Sequence, residues 1–251
     1  MMEAYSAERS LKGKLRRRIA RLAQRRPVRM ALERPMISFT FDDMPVTAAL
    51  AGARELEQRG VRGTYYVSTG LAGQTGPMGV YAEAEDARRL AAAGHEIACH
   101  TFSHLDCGQA NAAAIVGDVD RNSEGLKAWG AAYTESFAYP YGDVSIPAKR
   151  VLGGRFRTLR TVQAGLVEDG ADANQLPAVG IEGPEGEAAA MRWLDRAAER
   201  RAWLILYTHD VAESPSAWGC TPEALGHLVD AAVARGFDVV TAAEGARRLG
   251  L

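Results

Sequence analysis

Two short motifs in the chain carry side chains that together suit metal-assisted hydrolysis. Thr-Phe-Asp-Asp ends in two adjacent carboxylates, Asp42 and Asp43, after an apolar run. His-Thr-Phe-Ser-His begins at His100 and ends at His104, so its two imidazoles lie four residues apart. One carboxylate and two imidazoles can ligate a divalent metal, and the second carboxylate remains available as a base. The residue types therefore indicate hydrolysis assisted by a metal ion.

Each motif also has an ordinary structural interpretation. Adjacent Asp residues before a helical stretch can serve as its N-cap. The spacing of His100 and His104 predicts one helical turn with both rings on the same side, which is also common on exposed helices. Thr101 and Ser103 can cap that turn and orient the rings. Cys99 directly precedes it, but strand alternation predicts that its thiol faces away from His100 and into the core.

Two further apolar segments end in polar residues. Tyr-Pro-Tyr-Gly-Asp, starting at Tyr139, predicts a tight turn in which Gly142 permits close backbone approach. The backbone N–H of Tyr141 could then face an oxyanion. Leu-Tyr-Thr-His-Asp contains His209, whose ordinary pKa suits a general acid. Taken alone, each segment is equally compatible with a plain turn or a structural His.

The composition bounds the class of protein. The chain has 251 residues, of which 47% are hydrophobic and 24% charged, and its net charge is −1. These values favour one large domain or two small ones and give no whole-molecule case for nucleic-acid binding. No apolar run approaches the ~18 residues of a membrane-spanning helix, and no secretory signal is recognisable. Three Cys provide no disulfide framework, so we expect a cytoplasmic protein.

Residues 1–30 are predicted to form a basic helical appendage. Ten Lys or Arg and no acid lie between 9 and 29. Four apolar residues follow helical spacing with Arg on the other faces, namely Leu11, Leu15, Ile19 and Leu22. Two interpretations stay open: a solvated helix packed on an acidic face of the domain, or a contact with a membrane surface or partner.

From residue 31 to 251, short apolar runs alternate with helical stretches. The predicted strands are 37–41, 63–67, 96–99, 136–139, 157–162, 175–181, 203–207 and 238–240. The predicted helices are 46–58, 84–93, 110–129, 146–152, 187–200 and 222–234, with a last helix after the capping box Thr241-Ala-Ala-Glu244. This alternation predicts an α/β fold with a parallel sheet, and seven or eight units in a single domain predict a (β/α) barrel. The polar motifs all follow predicted strands, at the edge where barrel active sites form.

Taken in order, the motifs resemble those of the polysaccharide deacetylases of the NodB-homology type, which form carbohydrate esterase family four. The correspondence consists of Thr-Phe-Asp-Asp, Gly-His-Glu-Ile with His-Thr-x-Ser-His, Tyr-Pro-Tyr-Gly and Leu-x-x-His, over residues 35–241. The first two motifs are specific in combination, and the last two are supportive. The resemblance implies a distorted (β/α) barrel that removes N-acetyl groups from an amino-sugar-containing oligo- or polysaccharide.

The resemblance also implies roles for individual residues. A divalent metal, most often Zn²⁺ with Co²⁺ or Ni²⁺ as alternatives, would be held by Asp43, His100 and His104. Asp42 would be the general base for the attacking water, and His209 would protonate the departing amine.

Substrate contacts are implied as well. The N–H of Tyr141 would stabilise the oxyanion. Apart from the resemblance, the position of Trp218 in the loop after His209 would allow it to stack on a sugar ring, and core packing is an equal alternative. The expected partner is an N-acetylated saccharide, with neither nucleic acid nor an integral membrane segment involved. The sequence does not determine the oligomeric state.

Two positions depart from the family pattern. The family often has an Arg that pairs with the catalytic carboxylate, and Ala138 stands at that position. We expect Arg157 or Arg160 on the next strand to supply the missing charge to Asp42.

The second departure concerns the acid. The family usually has an Asp that orients the acidic His, beside a Trp, but the matching segment 161–165 contains neither. Asp169 and Asp172 are the candidates for this role. Two alternatives to a deacetylase remain. The same metal-assisted chemistry would serve an amidohydrolase acting on a small non-sugar amide, and the altered motifs are compatible with a catalytically silent carbohydrate-binding relative.

Overall fold

A computed structural model describes residues 10–131 and 134–251 of the chain. The first nine residues of the predicted N-terminal appendage lie outside the described residues. The helices are α1 Leu11–Ala20, α2 Ala53–Glu57, α3 Ala84–Ala92, α4 Ala112–Ala128, α5 Ile146–Leu152, α6 Gly186–Arg200, α7 Pro222–Ala234 and α8 Ala242–Arg248. The strands are β1 Met36–Asp42, β2 Thr64–Val67, β3 Thr75–Gly76, β4 Gly79–Val80, β5 Glu96–Cys99, β6 Ser136–Ala138, β7 Thr158–Arg160, β8 Val179–Gly180, β9 Trp203–Thr208 and β10 Asp238–Val239.

A curled parallel sheet forms the centre of the domain. Its strand order is β7-β6-β5-β2-β1-β9-β8, with β10 also pairing β1, and β3 and β4 form a separate antiparallel hairpin. One parallel bridge between Arg160 and Leu176 connects β7 to the segment that leads into β8. The predicted α/β fold, a distorted (β/α) barrel in a single domain, is confirmed.

The helix predictions agree closely with the observed elements. Helices α5 and α7 have the expected bounds, and the helical stretch before β2 includes a π-helical turn, Ala48–Gly52, that continues into α2. Thr221 caps α7, since its hydroxyl accepts from the N–H of Ala224 at 3.1 Å. Thr241 likewise caps α8, but the side chain of Glu244 pairs with Arg248, so only half of the predicted capping box forms.

Apolar and polar side chains alternate along most of strand β1 and so lie on opposite faces of the sheet. All seven of its residues are buried. Ile37, Phe39 and Phe41 belong to the main apolar core. The alternate residues are polar towards the end of the strand, where Thr40 donates to the carbonyl of Leu206 at 2.8 Å and Asp42 follows on the same face. The alternation of the strand therefore delivers Asp42 to the polar side of the sheet.

The N-terminal segment is attached to the body by polar contacts. Arg16 and Arg17 both pair with the buried carboxylate of Asp143. The ammonium of Lys149 donates to the carbonyl of Ala20 at 2.7 Å. Helix α1 thus has a fixed orientation on the domain. Within the described residues, the helices are all too short or too polar to cross a membrane.

Candidate active site

The polar motifs converge at one edge of the sheet. Asp43 follows β1, His100 follows β5, Tyr141 follows β6 and His209 follows β9. The sheet order places these strands in the continuous run β6-β5-β2-β1-β9. Because neighbouring parallel strands all end at the same edge, residues distant in sequence are brought together there.

Three side chains form a compact cluster with the composition of a metal site. The Oδ1 atom of Asp43 lies 3.6 Å from Nε2 of His100 and 3.5 Å from Nε2 of His104. All three residues are buried, and one ligand atom from each lies within 4.8 Å of the other two. These are the three predicted ligands, and a carboxylate with two imidazoles suits zinc and related divalent ions.

The imidazoles are held in the state that a ligand requires. The Nδ1 atom of His100 is 2.8 Å from the carbonyl oxygen of Ala138, which can only accept, so Nδ1 carries the proton and Nε2 is the ligand atom. Burial lowers the pKa of His104 to about 4, against the opposing effect of Asp43. The ring of His104 also meets the ring of Tyr141 edge-on, with centroids 4.5 Å apart.

The environment of the Asp43 carboxylate suits a bound cation. Both of its oxygens are buried, and neither has a hydrogen-bond partner among the described residues. A buried carboxylate without a partner is costly, and a cation removes that cost. The residues present therefore fit a divalent metal held by Asp43, His100 and His104.

The loop from His100 to His104 is not the predicted helical turn. Thr101 and His104 both have left-handed backbones, with φ of 63° and 55°. The rings nevertheless meet, with centroids 5.0 Å apart. Asp118 on α4 holds the loop by accepting from the N–H groups of Phe102 at 2.7 Å and Ser103 at 3.0 Å. Sequence reasoning missed Asp118, because nothing in a helical pattern marks one carboxylate as a loop anchor.

Cys99 lies outside the metal cluster, as expected from strand alternation. Its thiol is buried and lies 3.3 Å from Nδ2 of Asn122. The N-cap interpretation of the Asp pair does not apply either. The helical stretch that follows begins at Val46, and neither carboxylate caps it, because Asp42 contacts Arg160 and the oxygens of Asp43 have no hydrogen-bond partner among the described residues.

Backbone strain is concentrated at this edge of the sheet. Seven non-glycine residues among those described have positive φ, and five of them lie in the three loops of the site: Asp43, Met44, Thr101, His104 and Tyr141. Such conformations cost about 1–3 kcal/mol each and persist where the surrounding structure imposes them. The strain is consistent with loops shaped to aim particular side chains.

Asp42 is paired with a buried Arg. This Arg lies on a different strand from the one on which the family pattern places it. Arg160 on β7 contacts the carboxylate of Asp42, and Arg160 is the register partner of Ala138 on β6. Arg157, the other candidate, pairs with Glu135 instead. The guanidinium is therefore displaced by one strand but still reaches the same carboxylate.

The electrostatic consequence is an ionised Asp42. Burial alone would raise the pKa of Asp42, but Arg160, aided by His100 and His209, outweighs burial and lowers it. The guanidinium lies over the rings of Tyr66 at 4.9 Å and Tyr207 at 5.3 Å. These two faces fix its position by cation–π contact.

The acidic residue beside His209 is Glu182, so both predicted candidates for this role are wrong. The Nδ1 atom of His209 lies 3.1 Å from Oε1 of Glu182 and 3.2 Å from the carbonyl oxygen of Trp218. Asp169 instead accepts from the N–H of Met30, and Asp172 pairs with Lys149. Both lie in the segment that anchors the N-terminal region.

The surroundings of His209 keep its ring protonated. Burial would lower the pKa of His209, but Glu182, Asp42 and Asp43 together outweigh burial and raise it to about 9. Glu182 directly follows the strand predicted at 175–181. The rule that functional residues follow strand ends was therefore sufficient to find it.

The two predicted substrate-contacting residues border the site. Tyr141 lies in a tight turn, with φ of 58°, and its ring contacts His104. Gly142 follows with φ of 62°, and a Cβ there would come within 2.3 Å of Val162. Trp218 is half-buried, and its carbonyl oxygen receives the N–H of His209 at 3.1 Å. The proximity of Trp218 to the site is established, whereas stacking on a sugar remains a prediction.

The chain is similar to proteins of one family. The family model for polysaccharide deacetylase matches residues 29–153. No curated protein sequence is significantly similar to this chain. Among solved structures, the Xyl-CE4 domain of a multidomain xylanase from the hindgut metagenome of Trinervitermes trinervoides has a TM-score of 0.59 at 19% identity, covering 87% of this chain and 93% of that one.

Two further solved structures differ in their reported activity. A family 4 acetyl xylan esterase from Clostridium thermocellum, in complex with a cobalt ion, has a TM-score of 0.59 at 21% identity, covering 83% of this chain and 89% of that one. A pseudoenzyme of the same family from Bacillus anthracis has a TM-score of 0.57 at 14% identity, covering 86% and 67%. From its motifs, its barrel and the matching family model, the chain belongs to the polysaccharide deacetylase family.

Proposed function

We propose that the protein is a metal-dependent hydrolase that removes N-acetyl groups from an amino-sugar-containing saccharide. The observation that carries the proposal is the buried carboxylate of Asp43, which has no hydrogen-bond partner among the described residues and faces two imidazoles. A base kept ionised and an acid kept protonated stand beside this cluster. Hydrolysis of an amide requires both of these groups.

Asp43, His100 and His104 would hold the metal. When bound, a divalent cation supplies Lewis acidity, which favours ionisation of water and stabilises negative charge on a carbonyl oxygen. Asp42 is the base that accepts the proton of the attacking water. Arg160 keeps Asp42 ionised for this task.

His209 supplies the proton that the leaving nitrogen requires. Its Nδ1 is hydrogen-bonded to the carbonyl of Trp218 and lies 3.1 Å from Glu182, so the proton to be donated is the one on Nε2. The N–H of Tyr141 donates to the oxyanion of the tetrahedral intermediate in this proposal, and Trp218 offers a face for the sugar ring.

The function is tested by acetate release. N-acetylglucosamine oligomers are incubated with the zinc-loaded protein, with protein treated with a chelator, and with the Asp42→Asn variant. We expect release by the loaded protein alone, with Asp42→Asn reduced by about 10²–10⁴-fold, the usual contribution of a general base. Equal release in all three samples would contradict the proposal. Acetylated xylan and small aliphatic amides tested in parallel separate an ester or small-amide specificity from the proposed one.

The main competing interpretation is a catalytically silent carbohydrate-binding relative, since one of the proteins with a similar fold is a pseudoenzyme. The contacts of Asp42 with Arg160 and of His209 with Glu182 favour an active enzyme. Both departures from the family pattern are compensated by residues from other strands. Saccharide binding without acetate release at saturating zinc would support the silent interpretation.

Replacing Glu182 with Gln is expected to shift the alkaline limit of activity to lower pH. A general acid works while protonated, so activity falls as the pH rises through the pKa of His209, which is about 9 in the present surroundings. Loss of the anionic partner lowers this pKa, and the shift should be about one pH unit or more. The pH dependence of kcat/KM measures it.

Glu187→Gln is the matched control for this experiment, because Glu187 pairs with the exposed His227 at 3.0 Å. Its alkaline limit should equal that of the unmodified protein. An unchanged alkaline limit in Glu182→Gln would show that Glu182 does not set the protonation of His209.

A further inference from the structure

Helix α1 presents its apolar side to solvent. Leu11 is 85% exposed, Leu15 58% and Ile19 47%, and Leu22, just beyond the helix, is 80% exposed. These four residues are half of the eight large hydrophobic residues that are exposed among those described. Their spacing places them on one side of the helix. A surface helix in water normally turns such a stripe towards the core, so this arrangement is inverted.

Polar contacts on the opposite side hold the helix in this orientation. Gly13 and Ala20 are buried against the domain. Arg16 and Arg17 pair with Asp143, whose side chain is fully buried. A rotation of α1 that covered the apolar residues would break these ion pairs and leave a buried carboxylate unpaired, which is costly.

The apolar stripe is flanked by exposed positive charges. Lys12, Lys14, Arg18 and Arg21 are exposed, and none of them forms an ion pair with another described residue. No acidic residue occurs between 9 and 32. We refer to these four basic residues together with Leu11, Leu15, Ile19 and Leu22 as the α1 surface.

The α1 surface continues into an apolar groove. Leu15 and Ile19 line one side of it, and Ile146 and Pro147 at the start of α5 line the other. The groove has a volume of about 460 Å³. The apolar area available to a partner therefore extends beyond the helix onto the domain.

We propose that the α1 surface docks on an anionic phospholipid bilayer. An apolar stripe bordered by Lys and Arg is the pattern of helices that lie in the plane of a membrane, with the stripe among the acyl chains and the cations at the headgroups. A second copy of the same surface fits poorly, because a symmetric contact would bring the basic flanks together. Nucleic acid would match the charge but would leave the apolar stripe in water.

Flotation with vesicles tests the proposal on the full chain. Vesicles of phosphatidylcholine are compared with vesicles containing about one third phosphatidylglycerol, at low and high salt. We expect binding to the anionic vesicles that weakens with salt and is weak on phosphatidylcholine alone. Arg18→Ala/Arg21→Ala should reduce the binding by at least about tenfold, since each basic residue near such a surface contributes about fivefold.

Matched control variants distinguish binding through the α1 surface from binding through exposed apolar or basic residues elsewhere. Leu11→Ser/Leu22→Ser should also reduce binding by about tenfold or more, whereas Leu50→Ser/Val233→Ser removes two exposed apolar residues elsewhere and should not. Arg54→Ala/Arg192→Ala is the corresponding control for charge. All of these side chains are exposed, so unchanged circular dichroism and thermal melting are expected for every variant.

Three results would overturn the proposal. The first is the absence of binding to anionic vesicles beyond that to phosphatidylcholine. The second is binding that survives both α1 double substitutions. The third is a dimer in analytical ultracentrifugation that Leu11→Ser/Leu22→Ser abolishes, because the α1 surface would then be covered by a second copy of the chain.

Discussion

Replacing Asp43 with Asn is expected to abolish zinc binding and acetate release together. Asn keeps the shape of the side chain and tolerates the left-handed backbone at this position, where φ is 61°. It lacks the charge that pairs with a cation. The affinity for zinc should fall by more than about 100-fold, because even residues that only support a ligand contribute about 10–100-fold. Isothermal titration with zinc measures the affinity, and the oligomer assay measures the activity.

In the metal-free protein, the same substitution is expected to leave the thermal stability unchanged or to increase it. Asp43 has buried oxygens with no hydrogen-bond partner among the described residues, so its charge opposes folding when no cation is bound. The thermal midpoint of metal-free Asp43→Asn should therefore equal or exceed that of the metal-free parent. The increase in midpoint that zinc gives the parent should be absent from the variant.

Asp120→Asn is the control for these measurements, since Asp120 is an exposed residue that pairs only with Arg155 among the described residues. It should behave as the parent does in both assays. Tight zinc binding by Asp43→Asn, with full activity, would show that Asp43 is not a ligand. A metal-free midpoint well below that of the parent would instead assign Asp43 a structural role.

Replacing Arg160 with Ala is expected to impair both stability and activity. Removal of one partner from a buried ion pair costs about 3–5 kcal/mol, because the remaining charge is left uncompensated. Without Arg160, only His100 and His209 would oppose the effect of burial, so the pKa of Asp42 should rise and a larger fraction of Asp42 should be protonated at neutral pH. Activity should fall sharply at pH 7 and recover in part as the pH rises.

The pH dependence of stability has a definite sign. In the parent, Asp42 has a lowered pKa, so it contributes stability above the ordinary pKa of Asp, and that stability is lost as the pH falls through the lowered value. In Arg160→Ala its pKa is raised, so the ionised carboxylate opposes folding at neutral pH and its protonation relieves the penalty. The difference in free energy of unfolding between parent and variant should shrink as the pH is lowered. Urea denaturation across the pH range measures it.

Two variants make this prediction specific. Arg157→Ala removes the other candidate Arg, which is 40% exposed and pairs with Glu135, so its effect should be within about 1 kcal/mol. Ala138→Arg/Arg160→Ala returns the guanidinium to the position that the family pattern uses, in register on the neighbouring strand. Recovery of neutral-pH activity in this double variant is expected. If activity does not recover although the double variant unfolds cooperatively, the charge must come from β7 to act on Asp42.

The compensating residues explain why a chain with two altered motifs retains a complete set of charges. Arg160 lies on β7 and Glu182 follows β8, away from the positions that the family pattern uses, yet Arg160 contacts Asp42 and Glu182 lies beside His209. In a barrel, several neighbouring strands direct residues at one site, so a charge can move between strands without changing the chemistry. The altered motifs by themselves are therefore weak evidence for a silent relative.

The amino-acid sequence by itself determined the local structure and the types of polar groups at the candidate site. Periodicity and caps placed α5 and α7 at their observed bounds, because helix signals depend on residues a few positions apart. The positions of Asp42, Asp43, His100, His104 and His209 at strand ends followed from the same local patterns. The preceding apolar runs fix where each strand stops, and the polar residues come next.

Only the tertiary structure decided which residues support these groups. Asp118 holds the His100–His104 loop from a helix, Arg160 reaches Asp42 across 118 positions of sequence, and Glu182 takes the place expected for Asp169 or Asp172. Each of these contacts depends on strand order and register, which arise from the closure of the whole sheet. The periodicity of α1 likewise did not determine that its apolar side faces outward. Helical spacing defines a stripe, whereas the ion pairs of Arg16 and Arg17 with Asp143 decide which way that stripe faces.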